Sequence, residues 1–168
     1  MRYNKILGVL FLGVIIGACS PSVEDAFNQA DSTVKDVFLS TEAKEPNYSF
    51  DSFNVYKPDE LEVLDESEHN VVFTDGDQPF VLFVNELEAP NSRWFYDRIE
   101  DEGVHLRTFQ TDEAFSYLHA LEHDEDYEVH LGIGGIKMST VSSLNEIEGD
   151  IEMMIEIINS VKEKEEEE

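Results

Sequence analysis

His119 and His123 stand four residues apart, with Glu122, Asp124 and Asp126 beside them. On a helix that spacing turns both imidazoles to one face, as zinc-binding helices do to place two nitrogens on one ion. The order His-Ala-Leu-Glu-His departs from His-Glu-x-x-His, so Glu122 does not occupy the general-base position of that motif. A third ligand would have to come from His130 or His105. The alternative is two solvated histidines at an acidic helix end. Asp75-Gly76-Asp77, Glu100-Asp101-Glu102 and Asp124-Glu125-Asp126 offer carboxylates to calcium. None has the alternation of an EF-hand loop, and in so acidic a chain they read as solvated turns. Gly132-Ile133-Gly134-Gly135-Ile136-Lys137 lacks the phosphate-loop pattern and reads as a glycine-bearing strand. No Gly-x-Ser-x-Gly elbow is present, and no cofactor motif is found. Trp94, Phe95 and Tyr96 form an aromatic run flanked by Arg93 and Arg98. At helical spacing the three rings cannot all face a core. Arg93, Trp94 and Tyr96 are therefore candidate binding contacts, against the alternative of a core helix with one partly buried tyrosine.

Cys19 is the one cysteine of the chain. Before it, Arg2 and Lys5 form a positive segment and Ile6–Ile16 an apolar run of 11 residues. The run is too short to span a bilayer as a helix and suits a signal peptide. Ile16-Gly17-Ala18-Cys19 resembles the lipobox of bacterial lipoproteins: an aliphatic residue, two small residues and the cysteine. The resemblance implies diacylglyceryl transfer to Cys19 and cleavage before it, leaving residues 19–168 anchored at the outer face of the cell membrane. Two acyl chains hold stably where one holds only marginally. With no second cysteine, no internal disulfide is possible.

Net charge is −27, from 38 acidic and 11 basic residues. Two of the basic residues and none of the acidic ones lie in the signal, so the mature chain carries −29. Such a surface repels nucleic-acid phosphates and anionic head groups, which excludes a nucleic-acid partner and leaves the lipid as the membrane contact. The candidate partner is another exported or membrane protein. Charge of this size also serves solubility alone.

Several elements must position these residues. Val23, Ala26, Phe27, Ala30, Val34, Val37 and Phe38 recur at spacings of three and four, which predicts a helix over 22–39 capped by Ser22, either a stalk or a docked helix. Residues 40–49 read as a linker. Strands are expected at Phe53–Tyr56, at Val63–Leu64 and on either side of Asp75-Gly76, a hairpin signal because glycine accepts the positive φ of a tight turn. Phe80–Val84 is apolar throughout, as in a central strand. Helices are expected over 91–102 and from 111 or 112 to 123, with a strand at 104–110 between them. Glu128–Ser142 reads as one long strand. Leu144, Ile147, Ile151, Met154, Ile155, Ile158 and Val161 predict a final amphipathic helix, with Ser143 and Glu146 as its capping box. Residues 163–168 form an acidic tail with nothing to bury.

This order indicates an α+β chain, a mainly antiparallel sheet flanked by helices (an α/β/α sandwich), with residues 50–162 as the globular domain. Phe53–Pro58, the turn at Asp75-Gly76-Asp77, Phe80–Asn85 leading to Glu88, and Met153–Val161 resemble the Mog1/PsbP-like α/β/α fold. They resemble most closely exported lipoproteins of Bacillus-type bacteria with that build. The motifs are structural and imply no activity. The expectation is a membrane-anchored, non-catalytic binding or interaction domain. A metal-binding protein using the His119/His123 face and an enzyme whose residues meet only in three dimensions are the alternatives.

Overall fold

A computed structural model describes residues 22–40 and 42–164. The signal, the lipobox Ile16–Cys19 and residues 165–168 of the acidic tail lie outside the described residues.

Helix α1 (Val23–Leu39) starts where the capping chemistry places it: the Asp25 N–H donates to Ser22 Oγ at 3.1 Å. Glu24 and Asp25 sit in its first turn, where negative charge suits the helix dipole. Its apolar stripe is buried (Ala26, Phe27, Ala30, Val34), so of stalk and docked helix the docked form is the one observed. The folded unit thus reaches back to Ser22, beyond the 50–162 range expected from sequence. Asp31, buried on the same stripe, accepts from Arg107 Nε at 3.0 Å and lies 2.8 Å from His105 Nε2.

A small antiparallel sheet places β2 (Phe53–Val55) between β1 (Tyr48–Ser49) and β10 (Lys162–Glu163). The segment expected as a linker therefore supplies a strand, and the acidic tail begins inside β10. The main sheet has seven antiparallel strands in the order β3 (Glu62–Glu66), β4 (Asn70–Asp75), β5 (Gln78–Val84), β9 (Ile136–Ser142), β8 (Asp126–Ile133), β7 (Phe115–His123), β6 (His105–Gln110). The expected hairpin at Asp75-Gly76 joins β4 to β5, with Gly76 at φ +56°.

Three expected elements differ. Residues 91–102 form turns with a single 3-10 turn at Tyr96–Arg98, and no α-helix. Residues 115–123, expected as a helix, are strand β7, because both of its faces are covered from Phe115 to Ala120. Glu128–Ser142 is a hairpin, β8 and β9, turning at Gly134-Gly135.

Helix α2 (Ile147–Ser160) confirms the final amphipathic helix. Ser143 Oγ donates to the Glu146 carboxylate at 2.7 Å, but Glu146 itself starts the helix and its side chain caps nothing. Ile147, Ile151, Met154, Ile155 and Ile158 are fully or almost fully buried, each worth about 1.5–3 kcal/mol relative to exposure. They pack with α1 onto one sheet face, formed by alternate residues such as Phe73, Leu82, Met138, Leu131 and Leu118. The fold is α+β, with both helices on that face. The opposite face is covered in part by the loop between β5 and β6.

Candidate functional site

Strand alternation decides what faces the loop. Tyr117, His119 and Leu121 of β7 point away from the helices, opposite Gly132 and His130 of β8, which in turn pair with Lys137 and Ser139 of β9. Gly132 has no side chain, and the Tyr117 ring lies over it. A Cβ built at Gly132 would overlap that ring. His119 and His130 are cross-strand partners with stacked rings, centroids 5.8 Å apart. These three rings form the floor of a cleft.

The loop of residues 85–104 is pinned at both ends of its passage over this floor. Phe115 N–H donates to Pro90 O at 3.0 Å, and Val104 N–H donates to Ala120 O at 2.9 Å. Between them, His119 Nε2 lies 2.9 Å from Asp101 O. A carbonyl only accepts, so Nε2 carries the proton. Aromatic edges complete the clasp: Phe95 meets Phe83 of β5, and Tyr96 meets Phe115 and Tyr117. Gly103, at φ +62°, closes the loop against Ala120 so tightly that a Cβ would overlap the Ala120 carbonyl oxygen.

Floor and loop enclose a cleft of about 510 Å³, walled by Trp94, Phe95, Ile99 and Leu121 over Tyr117 and the histidine pair. That volume is in the range of small-molecule sites, roughly 300–1,000 Å³. Two cations face it. The Arg98 guanidinium sits 3.8 Å from the Trp94 ring centroid, and Lys137 Nζ sits 5.4 Å from that of Phe95. Among the described residues neither forms an ion pair. Burial pushes the Tyr117 phenol well above its ordinary pKa, so it keeps its proton. Burial also lowers the His130 pKa, helped by the positive charge of Lys137 and by His119. Glu128, whose Oε1 lies 3.2 Å from His130 Nε2, opposes the shift. His130 Nδ1 is buried without a hydrogen-bond partner among the described residues.

The expected site residues distribute as follows. Trp94 lines the cleft and is 39% exposed. Tyr96 serves in the clasp, and Arg93 stacks over Tyr96 and Phe115 while pairing with Asp97 at 3.5 Å. The expected zinc face does not assemble. His119 and His123 lie on a strand, not a helix, about 13 Å apart along it, with His119 buried and His123 exposed. His105 is on the helix-bearing face with Asp31. Among the described residues no three His, Cys, Asp or Glu side chains converge to hold a metal ion. Also among the described residues, no helix is long and apolar enough to cross a membrane. Sequence reasoning missed Tyr117 and Lys137. The odd-numbered alternation 115, 117, 119, 121 was the available signal.

No protein-family model matches the chain, and no curated protein matches it. The chain is similar to a crystal structure from Bacteroides thetaiotaomicron VPI-5482, with 13% identity and a TM-score of 0.32, over 68% of this chain and 46% of that one. It spans about half the length of that protein, and a likeness this distant carries no argument about function.

Proposed function

We propose that this chain is an exported lipoprotein, held at the outer face of the cell membrane through Cys19, whose domain is a non-catalytic binding module with the cleft as its site. The observation that carries the binding role is the cleft itself: a concave, largely apolar and aromatic space with a few polar groups, held open by a loop pinned at both ends. A binding role fits its histidines better than a catalytic one. A general base must reach its substrate within hydrogen-bond distance. His119 Nε2 is committed to Asp101 O, and the unpartnered nitrogen of His130 is buried. The anchor rests on the order of charged segment, apolar run and Ile16–Cys19.

Mass spectrometry of small molecules retained by the chain isolated from native membranes tests the binding role. A compound retained by the wild type and lost from Trp94→Ala supports the cleft. Identical profiles, with an exported protein crosslinked elsewhere on the surface, overturn it.

A further inference from the structure

The charges around the cleft narrow its ligand, if the cleft is the binding site proposed above. We infer that it takes a small anion with an apolar body, such as an aromatic carboxylate, the body lying against Trp94, Ile99 and Leu121 and the negative charge meeting Lys137 and Arg98.

The chain has 38 acidic and 11 basic residues, so a cation facing a cavity without a carboxylate partner is unexpected on composition. Here two do so together, each over an aromatic ring. The arrangement argues against a cationic ligand. An ammonium group there would meet the like charges of Arg98 and Lys137, which already sit over the Trp94 and Phe95 rings. Two acidic residues also line the cleft, Glu100 and Asp101. Both are exposed, and Asp101 Oδ1 accepts the Gly103 N–H at 2.9 Å. At the floor, Tyr117 stays protonated and its hydroxyl can donate to an anion, while the Glu128 carboxylate lies 3.2 Å from His130 Nε2. The field of the whole chain repels anions, so attraction must come from these two near cations, Lys137 half-buried and Arg98 exposed. The apolar walls, Trp94, Phe95, Ile99 and Leu121, explain the apolar body. The Tyr117 ring lies over Gly132, and the histidine rings stack beside it.

Three probes of one shape separate the possibilities: 2-naphthoate, uncharged 2-naphthamide and 2-naphthylmethylammonium. Each is measured by equilibrium dialysis against the full chain in uncharged detergent micelles, with protein-free micelles as blank. Naphthoate is expected to bind tightest and the ammonium weakest. Lys137, half-buried, gives the larger effect: Lys137→Gln weakens naphthoate about tenfold, as for a hydrogen bond to a charged group. Lys137→Arg retains binding. Exposed Arg98→Gln weakens it about two- to fivefold. Equal or tighter binding of the amide or the ammonium overturns the anion while leaving the cleft as a site. Failure of all three to bind overturns both. Should Lys137→Gln lower the melting temperature, retention by Lys137→Arg against loss in Arg98→Gln still decides the role of charge.

Discussion

Gly103→Ala strikes the clasp of the cleft. Gly103 has φ +62°, and the Cβ that alanine adds would overlap the Ala120 carbonyl oxygen. That same oxygen accepts the Val104 N–H at 2.9 Å, three residues beyond the Asp101 carbonyl that meets His119. The backbone strain costs about 1 kcal/mol. Relief of the overlap lifts the strand of loop away from β7 and breaks both hydrogen bonds, at about 1 kcal/mol each. The expected loss is about 3 kcal/mol, or roughly 6–12 °C in Tm for a chain this long. Urea unfolding followed by circular dichroism measures the loss. Acrylamide quenching of Trp94, the single tryptophan of the chain, reports the opened loop directly. Gly76→Ala is the control, with φ +56° and open space where its Cβ would lie. It should show the strain alone, about 1 kcal/mol, and unchanged quenching. Wild-type stability and wild-type quenching in Gly103→Ala would refute the clasp.

Other outcomes follow from the same structure. Gly149 sits within α2 with open space at its Cβ position, so Gly149→Ala should stabilise by about 1 kcal/mol through helix propensity, read as a higher urea midpoint. Asp31→Asn keeps the shape but removes the charge between His105 and Arg107. A loss of about 1.5–3 kcal/mol is expected, and no loss would mean that α1 docks by its apolar stripe alone. The folded His130 pKa lies below its ordinary 6.5, so the unfolded chain binds the proton more readily. Stability from this group is full above 6.5 and lost as pH falls toward the folded value. His130→Gln should therefore lose less stability than wild type between about pH 7.5 and about pH 5, and equal losses in urea midpoints would contradict the burial. Cys19→Ala should move the chain from the membrane to the soluble fraction or leave it unprocessed, as immunoblotting of fractions would show; a correctly cleaved, membrane-bound variant would contradict the anchor.

The helices α1 and α2 and the β4–β5 hairpin were legible because their signals are local: a stripe with spacings of three and four, a serine cap, an Asp-Gly turn. Strand β7 was not. Phe115, Leu118 and Leu121 share helical spacing, but a strand buried on both faces satisfies the same pattern, since any spacing then lands on a covered position. What covers its second face is the 85–104 loop, a partner remote in sequence and itself misread as a helix. The turn at Gly134-Gly135 was visible as a hairpin dipeptide. Reading it would have paired β8 with β9 but not His119 with His130, which depends on the turn at Asp124, at φ +55°. Trp94 stood out as a candidate contact from its neighbours in sequence, and it lines the cleft. Tyr117, Lys137 and Leu121 meet it only through sheet register.

The binding site is tested most directly by amide chemical-shift mapping of the full chain in uncharged micelles on addition of 2-naphthoate. Saturable shifts confined to residues 94–101 and to the amides around Tyr117, His119, His130 and Lys137 are expected. Shifts confined to the helix-bearing face around α1 and α2, or none at saturating probe, would contradict the cleft as the site.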